Sequence, residues 1–268
     1  MSRKLLILGG TFEAYRLVDL LISNFSEEKL IVVSSLSGAT TNPKITSGEF
    51  RIGGFGGFSG LKNYLKNNNI SILINATHPF ANKISANAFT ISKELGIPYF
   101  RLSRPAWKKI SGDKWIDVPD VKTAADQLIK KGNSLPVDIY NRNIFLSIGS
   151  RELHYFKKCH SYNFFIRTIE KPKGIDTPIK SNFLHDRGPF ILKDEINLFK
   201  KYSIKLLISK NSGGEQTYSK IEASRKLKIP IIMVSVVHHH QIDQFPVMIP
   251  NYQELNLHHM LLHHMVVK

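Results

Sequence analysis

Three strand-to-helix turns in this sequence carry residue types that hold an anion, and a fourth carries a histidine. In LILGGTFEA (6–14), Gly9 and Gly10 let the backbone turn sharply and approach a ligand, and Thr11 is placed to cap the helix that follows. The exposed N–H groups and the dipole of a helix start favour a phosphate there. No third glycine completes the dinucleotide fingerprint, so a plain tight turn accounts for the same residues. The next strand ends in Ser34-Ser35. A dinucleotide fold that prefers NAD carries an acid near that position to hold the ribose hydroxyls, and its absence favours NADP, whose 2′-phosphate an acid would repel. In ISKNSGGEQTY (208–218), Ser212-Gly-Gly-Glu215 has the pattern of a capping box opening a helix. Lys210, Asn211, Ser212 and Gly213 then form a phosphate cradle beside a cation, although a structural cap explains Ser212 and Glu215 alone. In NATHPFANKISANA (75–88), Thr77-His78-Pro79 is expected to open a helix with proline in its tolerated first-turn place. His78 follows a strand's carboxyl end, where open α/β sheets bind ligands. It is a candidate proton donor or ligand contact, or else a residue that caps the turn.

The stretch RIGGFGGFSGLKNYL (51–65) holds five glycines between Gly53 and Gly60. Each costs about 0.5–1 kcal/mol relative to alanine in an ordered element, so their presence needs a reason. A linker is the poorer one, since the stretch is not Ser/Gly low complexity and leads into a helix expected at Leu61. The glycines from Gly53 to Gly60, Gly53 and Gly54 among them, are read as bare backbone against a flat ligand, where a Cβ would collide. Phe55 and Phe58 either pack on a ring face or anchor the loop in the core.

These turns need a sheet to position them. KLLIL (4–8), LIVVSS (30–35), ISILINA (70–76) and IPYFRL (97–102) read as strands. Between them, Ala14, Leu17, Val18 and Leu21 share one helical face, and KISANAFTISKEL (83–95) is a helix ending at Gly96. After the prolines at 105, 119 and 136 the alternation resumes. NIFLSIG, NFFIRTIE, IKLLISK and IPIIMV are strands, and helices are expected at RELHYFKKC, KDEINLFKKY and EQTYSKIEASRKL. The fold class is α/β: two Rossmann-like units with parallel sheets and a ligand cleft between them, residues 1–130 and 131–268, the second with an atypical His-rich tail from about 235.

The chain of 268 residues carries a net charge of +16, which suits an anionic partner. The basic residues lack the block or stripe of a nucleic-acid footprint, so a small polyanion is favoured and nucleic acid ranks last. Cys159 is the single cysteine, no apolar run approaches the ~20 residues of a membrane span, and no secretory leader is evident, which together point to the cytoplasm.

Taken with SSLSG, RLSRPAW, SIGSRELHYF, RGPF (187–190) and KIEASRKLKIPIIMV, the motifs above resemble the precorrin-6A reductase family of cobalamin biosynthesis, in the family's order over most of residues 4–234. The resemblance implies NADPH as hydride donor and a polycarboxylate tetrapyrrole-derived substrate. It also implies reduction of one double bond of precorrin-6A, or of its cobalt form, to give precorrin-6B. On that reading Gly9, Gly10, Thr11, Ser34, Ser35, Gly53, Gly54, Thr77, Lys210, Asn211, Ser212 and Gly213 hold the cofactor. Arg51, Arg104, Arg151, Arg187 and Lys220 are candidate carboxylate partners near the family motifs, and His78 is the proton-donor candidate. Arginine suits carboxylates because its fork pairs in a bidentate way.

The sequence departs from the family in three places. Asn75 stands where the family carries Asp, Ser37-Gly38-Ala39 where it tends to carry an Arg, and Ser235-Val236 where it carries an Arg-Pro pair. Seven of the eleven histidines follow, and His259 and His263 have metal-ligand spacing, but no acid or cysteine completes a set and no metal is assigned. Two other readings stay open: another NADP-dependent reductase of an acidic substrate, and a tetrapyrrole- or nucleotide-binding module without turnover. Nothing in the sequence selects a monomer or a homodimer.

Overall fold

Leu5, Leu6, Ile7 and Leu8 are all buried, as a strand covered on both faces requires. They belong to β1 (Arg3–Leu8), the centre of the first sheet in a computed structural model that describes residues 2–38, 47–130, 142–170, 172, 174, 176–235 and 247–248. Around β1 follow α1 (Phe12–Asn24), β2 (Leu30–Leu36), β3 (Glu49–Ile52), α2 (Gly57–Asn67), β4 (Ile70–Asn75), α3 (Asn82–Leu95) and β5 (Tyr99–Leu102). The strands lie in the order β3-β2-β1-β4-β5, all parallel. This is the doubly wound order, in which the direction of strand succession reverses between β1 and β4 while the strands stay parallel.

Period-two alternation sends side chains to both faces. Leu5, Ile7, Val32, Ile72 and Ile74 meet Ala14, Leu17, Val18 and Leu21 of α1, the four residues that the helical spacing singled out. Leu6, Leu8, Val33 and Leu73 meet Leu61 and Leu65 of α2 and Ala88 and Ile91 of α3 on the other face. Each such Leu, Ile or Val side chain contributes about 1.5–3 kcal/mol on burial. Helix α3 stops at Gly96, whose left-handed φ of 65° only glycine adopts without strain.

The second unit repeats the plan without repeating the sequence. It contains β6 (Trp115–Val118), α4 (Val121–Lys130), β7 (Asn143–Ser147), a 3-10 helix (Leu153–Lys158), β8 (Asn163–Thr168), β9 (Ser181–His185), α5 (Leu192–Lys201), β10 (Leu206–Lys210), α6 (Ser219–Lys226) and β11 (Ile231–Val234). Its parallel order is β9-β8-β7-β10-β11-β6. A final strand, β12 (Val247–Met248), pairs with β5 of the first sheet. The first unit thus holds Met1–Arg104 together with β12, and the second Pro105–Val237.

The junction expected at 130/131 therefore lies at Arg104/Pro105. Residues 115–118 pair with 231–234, a long-range choice that local sequence does not announce. Several expected helices also start or end elsewhere. Helix α2 begins at Gly57 rather than Leu61, and RELHYFKKC forms only the 3-10 helix. Helix α4 was not expected, although Val121, Ala124, Ala125 and Leu128 carry its buried stripe at helical spacing. Ala39, Val236 and the tail histidines lie outside the described residues. Among the described residues no helix is long and apolar enough to cross a membrane.

Candidate functional site

Because every strand of the first sheet is parallel, the segments after β1, β2, β3, β4 and β5 all emerge at one edge. That edge gathers Gly9-Gly10-Thr11, Ser34-Ser35, Gly53-Gly54, Thr77-His78 and Arg104. The crevice at the reversal point falls between β1 and β4, where open α/β sheets take ligands. Thr11 crosses it. Its Oγ1 accepts the Ala14 N–H at 3.2 Å as the α1 cap and donates to the Ala76 carbonyl at 2.8 Å. Gly10 has φ 98°, and a Cβ there would meet nothing within 4 Å. A shallow cleft beside this crossing is lined by Thr11, Glu13, Thr77, Pro79, Arg101 and Arg104.

Arg104, expected to meet substrate carboxylate, is held by Glu13, with Nη1 2.9 and 3.0 Å from the two carboxylate oxygens. Its guanidinium ties β5's exit to the first turn of α1. Asn75 is buried and uses its whole amide. Oδ1 accepts the Thr77 N–H at 3.2 Å and the Thr77 hydroxyl at 2.8 Å, and Nδ2 donates to Ser85 Oγ and Tyr99 Oη, both at 2.9 Å. Burial raises the Tyr99 phenol above its ordinary pKa and so keeps it protonated. A residue so enclosed acts by fixing the turn, a task that amide geometry fulfils.

Helix α3 begins at Asn82, so Thr77-His78-Pro79 precedes the helix as a turn rather than opening it. His78 is exposed, and its Nδ1 accepts the Phe80 N–H at 3.3 Å. The turn-capping role is thus present, and it places the proton of the neutral ring on Nε2.

Ser35 and Arg51 are direct partners in the β2–β3 register. Arg51 Nη1 donates to Ser35 Oγ at 2.8 Å and to the Gly53 carbonyl at 2.9 Å, and Nη2 donates to the Gly54 carbonyl at 3.0 Å. The guanidinium carbon lies 3.8 Å from the Phe55 ring centroid. Desolvation lowers the Arg51 pKa from its ordinary value. Ser34 Oγ is buried without a hydrogen-bond partner among the described residues.

The glycines of RIGGFGG are explained mainly by backbone shape. Gly53, Gly56 and Gly57 have φ of 118°, 80° and 88°, and a Cβ on Gly60 would lie 1.6 Å from the Phe55 carbonyl oxygen. Gly54 alone of the five has neither constraint, and its Cβ side is open. Phe55 and Phe58 pack against the core around Leu61 and Leu65, which is the anchoring alternative.

In the second unit the equivalent reversal point lies between β7 and β10. There Lys210 Nζ pairs with the Glu152 carboxylate, so the expected phosphate cation is balanced by an acid of the same unit. Asn211 serves the protein itself: Oδ1 accepts the Trp107 N–H at 2.8 Å and Nδ2 donates to the Trp107 carbonyl at 3.0 Å. The Trp107 indole N–H donates to the Gly214 carbonyl at 2.9 Å. The capping box does not form. Gly213 and Gly214 take left-handed φ of 64° and 78°, and α6 begins only at Ser219. Ser212 is buried in that loop. Lys220 is also buried, with Nζ 4.9 Å from the Trp107 ring centroid, not displayed on a surface. Arg151 and Arg187 are exposed in the turns after β7 and β9. The RGPF turn is fastened by Phe190, whose ring lies 3.9 Å from the guanidinium carbon of buried Arg167, itself paired with Glu195 at 2.6 Å. Glu13, Glu152, Ser85, Tyr99, Trp107 and Arg167 escaped the sequence reading, because their partners are distant in the chain.

Two doubly wound parallel sheets, each with turns gathered at its carboxyl edge, define a two-unit α/β protein of Rossmann-like plan. The chain belongs to the precorrin-6x reductase CbiJ/CobK family, whose model matches residues 4–249. It is 38% identical over 231 residues to the precorrin-6A reductase of Rhodococcus erythropolis, covering 86% of this chain and 88% of that one. It is 30% identical over 202 residues to the cobalt-precorrin-6A reductase of Methanocaldococcus jannaschii, covering 73% and 74%. The solved structure of CobK precorrin-6A reductase matches it with a TM-score of 0.78 at 33% identity, over 88% of this chain and 89% of that one.

Proposed function

We propose that this protein reduces precorrin-6A, or its cobalt form, to precorrin-6B with NADPH as hydride donor, in the cytoplasm. The observation that carries the reading is the convergence of five family motifs on the carboxyl edge of one 3-2-1-4-5 sheet. The residues there fit a nicotinamide dinucleotide: a helix start capped by Thr11, open space over Gly10 and Gly54, and an unpaired buried hydroxyl at Ser34.

Bound NADPH supplies the hydride, and the protein supplies orientation and charge. Gly10 and Thr11 offer backbone N–H groups of the α1 start to the diphosphate, and Gly9, whose own N–H donates to the Ser35 carbonyl at 2.9 Å, holds the turn beneath it. Ser34, Ser35, Gly53 and Gly54 line the nucleotide's path, and Thr77, fixed by Asn75, borders the crevice. In the second unit Arg151 and Arg187 attract substrate carboxylates. Lys210 to Gly213 form the loop that sets the edge beside them, while Lys220 supports Trp107. His78, with its proton on Nε2, is the candidate donor to the reduced ring. The net charge of +16 raises the local concentration of both anions.

The test is purified protein with precorrin-6A and NADPH, following loss of nicotinamide absorbance and appearance of a reduced macrocycle. Oxidation of NADPH dependent on precorrin-6A supports the reading. Binding of both without oxidation would make the protein a binding module, and failure to bind the macrocycle would make it a reductase of another acid.

A further inference from the structure

We infer that Arg51, positioned by Ser35, is the group that recognises the 2′-phosphate of the dinucleotide in this chain. The inference rests on the cofactor reading above and deepens it.

In a doubly wound sheet the adenosine ribose is read at the carboxyl end of the second strand, by an acid when the 2′-hydroxyl is free and by a nearby arginine when it is phosphorylated. Here the end of β2 carries Ser34 and Ser35, so no acid opposes a phosphate. The residue beside Ser35 in the register is Arg51. Three of its five N–H groups are spent on Ser35 Oγ and the Gly53 and Gly54 carbonyls. Among the described residues its Nε–H and one Nη2–H have no such acceptor. One face of the guanidinium rests on Phe55, which fixes its plane. Among the described residues no carboxylate pairs with Arg51. This distinguishes it from Arg104, Lys210 and Arg225, which are neutralised by Glu13, Glu152 and Asp113. Its partners within the protein are a hydroxyl and two carbonyls, which locate the cation without cancelling its charge. A phosphate dianion accepting from the remaining N–H groups would complete the set.

The experiment measures binding of 2′,5′-ADP and of 5′-AMP to the full-length protein by titration calorimetry, with NADPH and NADH as a second pair. The two analogues differ only in the 2′-phosphate and involve no turnover. The wild type should bind 2′,5′-ADP about tenfold to hundredfold more tightly than 5′-AMP, as one charge-assisted contact predicts. Arg51→Gln, which keeps an N–H donor for the loop carbonyls, should bring that ratio towards one. Ser35→Asp, which retains the guanidinium but places an acid against it, should do the same and shift preference from NADPH towards NADH. Should Arg51→Gln not fold, Ser35→Asp carries the test. Equal binding of the two analogues by the wild type, or an undiminished ratio in a folded variant, overturns the assignment of Arg51 while leaving the cofactor reading intact. Failure of the wild type to bind any of the four nucleotides overturns the cofactor reading, and this assignment with it.

Discussion

The Thr11 hydroxyl donates to the Ala76 carbonyl at 2.8 Å, bridging the turn after β1 and the turn after β4 at the point where the strand order reverses. The same oxygen accepts the Ala14 N–H, so one side chain both caps α1 and sets the width of the crevice.

Replacing Thr11 tests that double role. Thr11→Val keeps the shape but loses both hydrogen bonds, and should cost about 1–2 kcal/mol in denaturant unfolding. It should also weaken NADPH binding, measured by titration. Thr11→Ser should recover most of both.

Asn75 provides a second test. Asn75→Leu leaves Thr77, Ser85 and Tyr99 without their buried partner and should destabilise the protein by about 2–5 kcal/mol. Asn75→Asp should fold, because the protonated Tyr99 and Ser85 hydroxyls can turn to donate to a carboxylate. Turnover within a few-fold of the wild type would establish Asn75 as a positioning residue. A large gain on introducing the acid would instead assign that position to the chemistry.

Two glycines three and nine residues after Arg51 should behave oppositely. Gly60→Ala places a Cβ against the Phe55 carbonyl and should cost about 3 kcal/mol in unfolding measurements. Gly54→Ala should leave the unfolding midpoint unchanged, since neither φ nor a neighbour forbids the methyl. A loss of nucleotide or macrocycle affinity in Gly54→Ala would then report a ligand lying against that backbone.

The buried Arg167–Glu195 pair, with Arg167 between the Phe145 and Phe190 rings, holds the RGPF turn. Arg167→Met leaves Glu195 buried without its partner and should cost about 3–5 kcal/mol. Hydrogen exchange at residues 187–190 should accelerate, because Phe190 loses the group on which it stacks.

Burial raises the Cys159 thiol to about 11, from an ordinary value near 9. Unfolding therefore favours the thiolate. Stability from this group is complete below about pH 9 and declines as pH rises towards 11, since the unfolded chain then binds fewer protons than the native one. Urea unfolding of wild type and Cys159→Ala across that range should reveal the difference. At neutral pH, native protein should react with a thiol reagent only as fast as it unfolds.

Much of the fold was legible because its signals are local. KLLIL, the stripe Ala14, Leu17, Val18 and Leu21, and the stop at Gly96 each state their structure within a few residues. Strand β3 escaped notice because it is a four-residue edge with mixed exposure, and β6 because only its pairing with β11 makes it a strand. Capping patterns misled where backbone shape prevailed: Ser212 and Glu215 have the spacing of a box, yet Gly213 and Gly214 bend the chain away from a helix.

The sequence by itself determined the alternating α/β plan, the motif-bearing turns and the family to which they belong, since periodicity and residue type are carried by neighbours along the chain. Only the tertiary structure decided which charges remain effective. Arg104 meets Glu13 and Lys210 meets Glu152, whereas Arg51 meets a hydroxyl and two carbonyls. Those pairings depend on strand order and register, which bring together residues that no short stretch of sequence contains.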